Sequence, residues 1–600
     1  MFNTYRKIFD LLTPHERRNF TLLSILVIIM GLLDAVGVAG ILPFLAIVAA
    51  PELTETNQTF ATIYRLSGAP DQDAFLRIVG IGVFSVFIIS VLFKIVTLYA
   101  LARFGHMRKF SLSSRLLEGY LHQPYVWFLS RHSADLGKVV LHEVETVVNG
   151  TIIPAFQIMA NTVSLLFLVG LLIVIEPKIA VIAISVLGGT YLIIFLFVRK
   201  RLTLIGRQRA IANRDRYMIA QETMGSMKDV KLLGLESSFL KRFRGPARRY
   251  AQAATASQII GELPRHLLEG ISFGGILLLV LTMLLNGQGT LVDILPTLGL
   301  FAFAGLRMFP ALQTVYRSMT ALRFGAPTLK VLHDDMQEVR GGVQTALTFP
   351  VTKAPMRMKS EIDLFDIRYA FPDSEQSVVR GLNMTIEANT TVGIVGGTGA
   401  GKTTTIDIIM GLLQADSGEL RVDGNLITPE NLRSWQLSIG YVPQQIFLMD
   451  GSISANIAFG IPPEERARAQ IERAARLAEL HEFAMETPQG YDTLVGERGV
   501  RLSGGQRQRI AIARTLYHDP DVLVLDEATS ALDNLTERAV MQAVTNLGHA
   551  KTIIMIAHRL STVEKCDKIF LLENGCVADS GTYDELKKSN EAFRSMAEAP

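Results

Sequence analysis

Residues 396–405 read GGTGAGKTTT and follow the apolar stretch TTVGIVG, fitting the spacing GxxxxGK[ST] from Gly396 to Thr403. Chemistry at that spacing is phosphate binding. Glycines let backbone N–H groups wrap the phosphates, and a helix starting there adds its dipole. Lys402 reaches the β and γ phosphates, and the Thr403 hydroxyl ligates Mg²⁺. A second constellation, DVLVLDE at 521–527, is an apolar strand that ends in two acids. Asp526 is placed to hold Mg²⁺ through water and Glu527 to polarise an attacking water, so both halves of a nucleotide-hydrolysis site are present. Two acids capping a strand end are the plainer alternative. The wholly apolar strand and the ATSALD that follows it argue against that.

Strands and helices must hold these groups, and the chain shows where. At 600 residues it exceeds one compact core, so at least two domains are expected. Mean hydropathy is +0.30, but the long uncharged runs concentrate in residues 20–310. Taking about 20 apolar residues per bilayer crossing, the pattern predicts six spans, near 20–48, 75–102, 152–175, 179–198, 266–286 and 291–316. The first is too long for the roughly 7–15-residue core of a cleaved signal peptide. Residues 199–249 carry 14 basic and four acidic residues, whereas the alternate loops 51–74, 176–178 and 286–293 are poor in basic residues. Short basic loops stay cytoplasmic, which puts both termini inside. A net charge of +3 gives no reason to expect nucleic acid as a partner. Two cysteines without metal-ligand spacing fit a reducing compartment.

The connections 103–151 and 199–265 are long and nearly free of Gly and Pro, and read as span helices continuing into the cytosol. From about 359, short strands alternate with helices, the pattern of an α/β domain with a largely parallel sheet. The expected order is a polytopic α-helical membrane domain at 1–325, a linker at 326–358, a cytosolic α/β P-loop ATPase domain at 359–590 and a tail at 591–600.

With these motifs in hand, the whole chain resembles the ATP-binding cassette exporters that have six spans and one nucleotide-binding domain per chain. LSGGQ at 502–506 is that family's signature, YVPQQ supplies its Q-loop, VGERG at 495–499 its X-loop, SALD at 530–533 its D-loop and AHR at 557–559 its switch histidine. The resemblance implies catalytic roles for Glu527, His558 and Gln444. It implies ATP contacts from Phe371, Gly396, Gly397, Thr398, Gly399, Ala400, Gly401, Lys402, Thr403 and Thr404. Magnesium would be held by Thr403, Gln444 and Asp526, and Glu497 would serve interdomain coupling. Ser503, Gly504, Gly505, Gln506 and Asp533 would close over ATP bound to another copy, so the working unit is expected to be a homodimer, with a heterodimer as the alternative. Asn389 stands where the family has glycine before the P-loop strand, and asparagine tolerates a left-handed backbone. The turns near 125–137 and 211–225 resemble the family's coupling helices.

Cargo must be read from the spans. Arg307 lies within LGLFAFAGLRMFPAL, where a central arginine costs roughly 2.5–3.5 kcal/mol on insertion scales. Asp34, Lys94, Arg265, His266 and Glu269 also interrupt spans. Asp34 or Glu269 could neutralise Arg307, and snorkelling accounts equally well for Lys94 and Arg265. Surplus cations at Arg307, Arg265 and Lys94 would suit an anionic headgroup. ELPRHLLEGISF (262–273) and GLRMFPA (305–311) resemble the lipid-linked oligosaccharide flippases of bacterial protein N-glycosylation. That implies an anionic lipid-linked substrate, a polyprenyl-pyrophosphate glycan, in contact with membrane lipids of a bacterial inner membrane. Export of a peptide or another lipid is the alternative within transport; an ATP-gated channel or regulatory membrane ATPase is the alternative outside it. The stretch NQTFATIYRLSG (57–68) reads as a short amphipathic interfacial helix.

Overall fold

A computed structural model describes residues 2–49, 52, 58–131, 133–175, 177–286, 291–346, 354–372, 374, 376–526, 550–557 and 560–598. It divides into two compact units. One comprises Met1–Gln123 with Phe128–Gln344, the other Pro124–Trp127 with Thr345–Pro600.

Among its described residues the first unit is built from helices and the turns between them. Its first apolar helix, Pro14–Ala39, is started by a capping box at Thr13: the Thr13 hydroxyl accepts from the Glu16 N–H at 3.3 Å, and the Glu16 carboxylate accepts from the Thr13 N–H at 2.9 Å. The helices Gln72–Leu121, Pro177–Gly225, Glu236–Asn286 and Leu291–Ala346 have 50, 49, 51 and 56 residues. At 1.5 Å per residue each is about 73 Å long or more, over twice the roughly 30 Å that a bilayer crossing needs. Large apolar side chains such as Ile81 (67% exposed) and Phe84 (65%) face outward, as lipid contact requires. Among the described residues, Pro14–Val48, Gln72–Leu121 and Asp135–Ile175 are long and apolar enough to cross a membrane. Helices cross closely where glycine allows it: a Cβ at Gly206 would lie 2.1 Å from the Phe324 carbonyl oxygen.

One expectation changes here, that of the second turn, and the segments expected as linker and tail are largely helical. The helix Leu291–Ala346 runs through most of the stretch read as a linker, because apolar residues recur along 326–339 and bury Leu329, Leu332, Met336 and Val339. The second of the two expected turns is not at 211–225, which continues the helix Pro177–Gly225. It falls at 226–235, where Gly234 adopts a left-handed φ of 64° beside the short helix Met227–Leu232. The tail also folds, since Glu591–Glu598 is helical and Phe593 is completely buried. By contrast, Tyr125–Leu129 forms a short helix inside the expected first turn, after Pro124. Gln58–Ser67 is helical as well, with Tyr64 edge-on to Phe75 at 5.0 Å.

Among its described residues the second unit holds two sheets. Strands β1 (Glu361–Tyr369), β2 (Val379–Glu387), β4 (Ser417–Val422) and β5 (Asn425–Leu426) form an antiparallel sheet in the order β2-β1-β4-β5. The larger sheet contains β3 (Thr391–Gly396), β6 (Ile439–Val442), β7 (Val522–Asp526), β8 (Thr552–Ile556), β9 (Lys568–Glu573) and β10 (Cys576–Gly581). Its order is β10-β9-β3-β8-β7-β6, parallel except for the β9–β10 hairpin. Both faces are buried, so β7 and β8 are apolar apart from the terminal Asp526 and Thr552. Val522, Val524, Ile554 and Ile556 pack on the side of the P-loop helix, while Leu523, Leu525, Ile553 and Met555 pack on the opposite face. Trp435 is fully buried and its indole N–H donates to the Ile409 carbonyl at 2.8 Å, which pins the end of the P-loop helix.

Candidate functional site

The turn from β3 into the helix Lys402–Ile409 is built by glycines that no other residue replaces easily. Gly401 sits at φ 96° at the helix start, and a Cβ at Gly396 would meet the Leu572 carbonyl oxygen at 2.3 Å. The Lys402 ammonium donates to the carbonyls of Gly396 (2.7 Å) and Gly397 (3.1 Å), which holds it over the loop. Thr398, Gly399, Ala400, Gly401, Lys402, Thr403 and Thr404 line a cavity of about 230 Å³ together with Val378 and Ile556. A concave loop at a helix N-terminus, with one cation, can take phosphates. Upstream, Asn389 adopts φ 58°, the left-handed backbone expected of it.

Asp526 ends β7 on the face that looks toward this helix, and Tyr441 of β6 donates from its hydroxyl to the Asp526 carboxylate at 3.2 Å. Asp407, one helical turn beyond Thr403, is half-buried. Burial, with the Asp526 carboxylate second, pushes it up to about 6. Burial, then the Asp526 carboxylate, likewise raise the Tyr441 phenol. Sequence reading missed both Asp407 and Tyr441. The signal was the i, i+4 spacing of Thr403 and Asp407, and a tyrosine three residues before Gln444.

Phe371 lies half-buried just past β1, its ring edge-on to Tyr369 at 5.2 Å. Gln444 follows β6 and is exposed. In the signature, Ser503 caps the helix Gly504–Tyr517: its hydroxyl accepts from the Gln506 N–H at 3.2 Å, and the Gln506 side-chain oxygen accepts from the Ser503 N–H at 2.8 Å. Gly505 is buried behind that cap. Glu497 is exposed on a tight turn bounded by Gly496 and Gly499, both left-handed. Glu527, Asp533 and His558 lie outside the described residues.

Residues 379–530 match the ABC transporter family, and residues 44–305 match the ABC transporter transmembrane region. The ATP-dependent lipid A-core flippase of Alkalilimnicola ehrlichii is 30% identical over 512 residues, covering 83% of each chain. The chain belongs to the ABC transporters. Its fold is that of the family's exporters: the structure of a bacterial Atm1-family ABC exporter with ATP bound superimposes with a TM-score of 0.73 at 25% identity, over 97% of each chain. The heterocyst differentiation ATP-binding protein HepA of Nostoc is 32% identical over 378 residues, which is 62% of this chain and 60% of that one. This ABC exporter is therefore an integral membrane protein that binds ATP and couples its hydrolysis to transport.

The membrane unit of the exporter answers one question its sequence left open. Arg307 Nη1 donates to Asp34 Oδ1 at 2.8 Å, Lys94 Nζ lies 3.4 Å from Asp34 Oδ2, and the Ser90 hydroxyl donates to Asp34 Oδ1 at 3.1 Å. The Arg307 guanidinium also sits 5.2 Å over the Phe87 ring. Phe87, Ser90 and Lys94 share one face of the helix Gln72–Leu121, and the carboxylate they surround is only 2% exposed. Glu269 does not serve Arg307. It pairs with Arg265 at 2.8 Å and with His266 at 3.5 Å, in helical spacing.

Proposed function

We propose that this exporter works as a homodimer in a bacterial inner membrane and flips an anionic lipid-linked saccharide, with a polyprenyl-pyrophosphate oligosaccharide as its substrate. The observation that carries the headgroup chemistry is the Asp34 cluster, where Arg307 and Lys94 share a single carboxylate and leave one positive charge over. Such a cluster attracts phosphate, and a guanidinium can meet it with a forked pair of hydrogen bonds. Arg265, already paired with Glu269, is the weaker of the three candidate contacts. A lipid cargo is supported by relatives named for flipping lipid A-core. Lipid A-core is accordingly the second reading.

At the nucleotide site, Gly396–Thr404 cradle the phosphates, with Lys402 neutralising them and Phe371 stacking on the adenine. The Thr403 hydroxyl and the Asp526 carboxylate are hard oxygen donors, suited to Mg²⁺ that keeps waters and phosphate oxygens as its other ligands. Gln444 adds a third donor, Glu527 orients the attacking water and His558 steadies the γ phosphate. Ser503–Gln506 and Asp533 of a second copy would complete each site, and Glu497 would pass its closure across the pair. ATP binds the closed pair better than the open one, and that difference drives the membrane helices. Native mass spectrometry of lipids that copurify, combined with ATPase stimulation by lipid-linked saccharides, tests the cargo. Copurification of pyrophosphate-linked saccharides supports it, and stimulation by peptides alone overturns it.

A further inference from the structure

The helix Phe2–Leu11 ends where arginines from three other helices meet it. Arg17 donates from Nε and Nη2 to the Phe9 carbonyl at 3.2 and 3.0 Å, Arg340 from Nη2 to the Asp10 carbonyl at 2.6 Å, and Arg115 from Nη1 to the Leu11 carbonyl at 2.8 Å. The last carbonyls of a helix lack intrahelical donors and carry its negative pole, so guanidinium groups suit them. These three come from the helices Pro14–Ala39, Leu291–Ala346 and Gln72–Leu121. The hold on Leu291–Ala346 is reinforced, since Lys7 pairs with Asp334 at 3.5 Å and His333 Nε2 lies 3.5 Å from Asp10. Ile8, Leu11 and Leu12 are buried on this inner side.

The other side of the helix is exposed at Asn3, Arg6 and Phe9, which recur at three-residue spacing. Neither Arg6 nor the exposed Arg18 has a carboxylate partner among the described residues. Arg18 shares one helix face with Leu22, Ile25 and Ile29, which are 56%, 52% and 42% exposed. An apolar face open along a membrane helix meets acyl chains, so Arg18 at its end stands among headgroups. Arg6 is held near that level as well. Phe9 meets Phe20 edge-on at 5.1 Å, and the Tyr5 hydroxyl donates to the Ala155 carbonyl at 3.4 Å, close to where the first and third expected spans begin.

We propose that Arg6 and Arg18 bind anionic phospholipid headgroups of the cytoplasmic leaflet, and that this contact steadies the helix Phe2–Leu11 in its hold on Arg340, making ATP turnover depend on anionic lipid. An arginine beside an anionic leaflet gains about fivefold in affinity for it, and a guanidinium grips a phosphate with forked hydrogen bonds. A helix of 10 residues is marginal by itself, so its order follows from what holds its two sides. Lipid headgroups hold the outer side. The inner side grips Arg340 near the end of Leu291–Ala346, after which the chain enters the second unit. A loosened Phe2–Leu11 therefore frees the helix that leads to the ATPase. The proposal takes the N-terminus to be cytoplasmic, as the basic connections imply, and it is independent of the cargo.

Full-length exporter in nanodiscs of phosphatidylcholine with increasing phosphatidylglycerol gives the test, with ATPase activity and hydrogen exchange at residues 3–11 read on each sample. Wild type is expected to gain both turnover and protection at 3–11 as phosphatidylglycerol rises, and to lose much of both gains in high salt. The double variant Arg6→Gln with Arg18→Gln is expected to raise the half-maximal lipid fraction about fivefold or more, whereas Arg6→Lys with Arg18→Lys keeps the charges and stays near wild type. Arg340→Gln is expected to keep the protection of 3–11 while its turnover responds less to the lipid. Arg307→Ala is expected to keep the wild-type half-maximal fraction, which separates this contact from lipid bound at the Asp34 cluster. No lipid dependence in wild type, or an unchanged one in the Gln pair, overturns the proposal. Loss of protection in the Gln pair with its turnover response intact overturns the link to ATP turnover. A response lost in Arg307→Ala and kept in the Gln pair moves the lipid to the cargo cluster, and the proposal falls.

Discussion

Arg307 and Asp34, 273 residues apart, form an ion pair of 2.8 Å inside the membrane unit. A cation in an apolar helix is thereby explained without any ligand, and the excess charge comes from a second cation on the same carboxylate. Lys94 reaches the other oxygen of that carboxylate, so one anion serves two cations. Removing it strands both. Asp34→Asn is expected to destabilise the solubilised protein by about 3 kcal/mol, the low end for breaking a buried pair because Lys94 is 38% exposed. Pairing Asp34→Asn with Arg307→Ala is expected to cost less than the two separate losses combined, since the double variant leaves only Lys94 uncompensated. Thermal unfolding in detergent of the single and double variants reads this directly; strict additivity speaks against the pairing.

Arg307→Ala separates transport from hydrolysis. Lys94 and Ser90 still satisfy Asp34 in this variant, so the fold survives while the fork for phosphate is lost. Translocation of a pyrophosphate-linked lipid in liposomes is expected to fall about tenfold or more, the worth of one charge-assisted hydrogen bond, with basal ATPase within about twofold of wild type. Equal loss of both activities points to a structural role instead.

Glu527→Gln is expected to abolish steady-state ATP turnover while leaving ATP binding near the wild-type value, because the change removes the carboxylate proposed to polarise water and keeps its shape. Radiolabelled ATP binding and phosphate release, measured on one preparation, check it. Normal turnover would reassign the site.

The two thiols should label differently. Burial, with Asp567 adding to it, pushes the Cys566 thiol up to about 12, so at pH 8 about one molecule in ten thousand carries the reactive thiolate. Reactivity of Cys566 therefore stays low until the pH approaches that value. Cys576 is half-exposed, with its S–H donating to the Arg380 carbonyl at 3.0 Å. Maleimide at pH 8 is expected to modify Cys576 alone in the native protein and both cysteines after denaturation. Equal native labelling of the two would contradict the buried placement.

Motifs made most of the ATPase unit legible. GxxxxGK[ST] encodes a strand end, a glycine turn and a helix start within eight residues, and Asp526 of DVLVLDE ends a strand buried on both faces. Asn389 was legible too, since the left-handed position it holds can be read from residue type. What escaped was pairing at long sequence separation. Nothing local distinguishes Asp34 from Glu269 as the partner of Arg307; only the packing of three helices decides it. Tyr441 was harder to see for the same reason, because its hydrogen bond to Asp526 joins adjacent strands 85 residues apart, whereas Asp407 was marked only by its i, i+4 spacing from Thr403. The second expected turn lies about ten residues further on, since IANRDRYMIAQETM contains no helix breaker and stays helical, and the left-handed Gly234 was the better clue. The expected linker looked irregular by polarity, yet its apolar residues keep helical spacing and are buried.

ATP-dependent movement of a fluorescent polyprenyl-pyrophosphate oligosaccharide between leaflets of proteoliposomes tests the proposed function most directly. Wild-type exporter with ATP is expected to expose the saccharide on the opposite leaflet at a rate well above that of protein-free vesicles, and Glu527→Gln is expected not to. Transport of a peptide or a neutral-headed lipid under the same conditions, with the pyrophosphate lipid left in place, would contradict it.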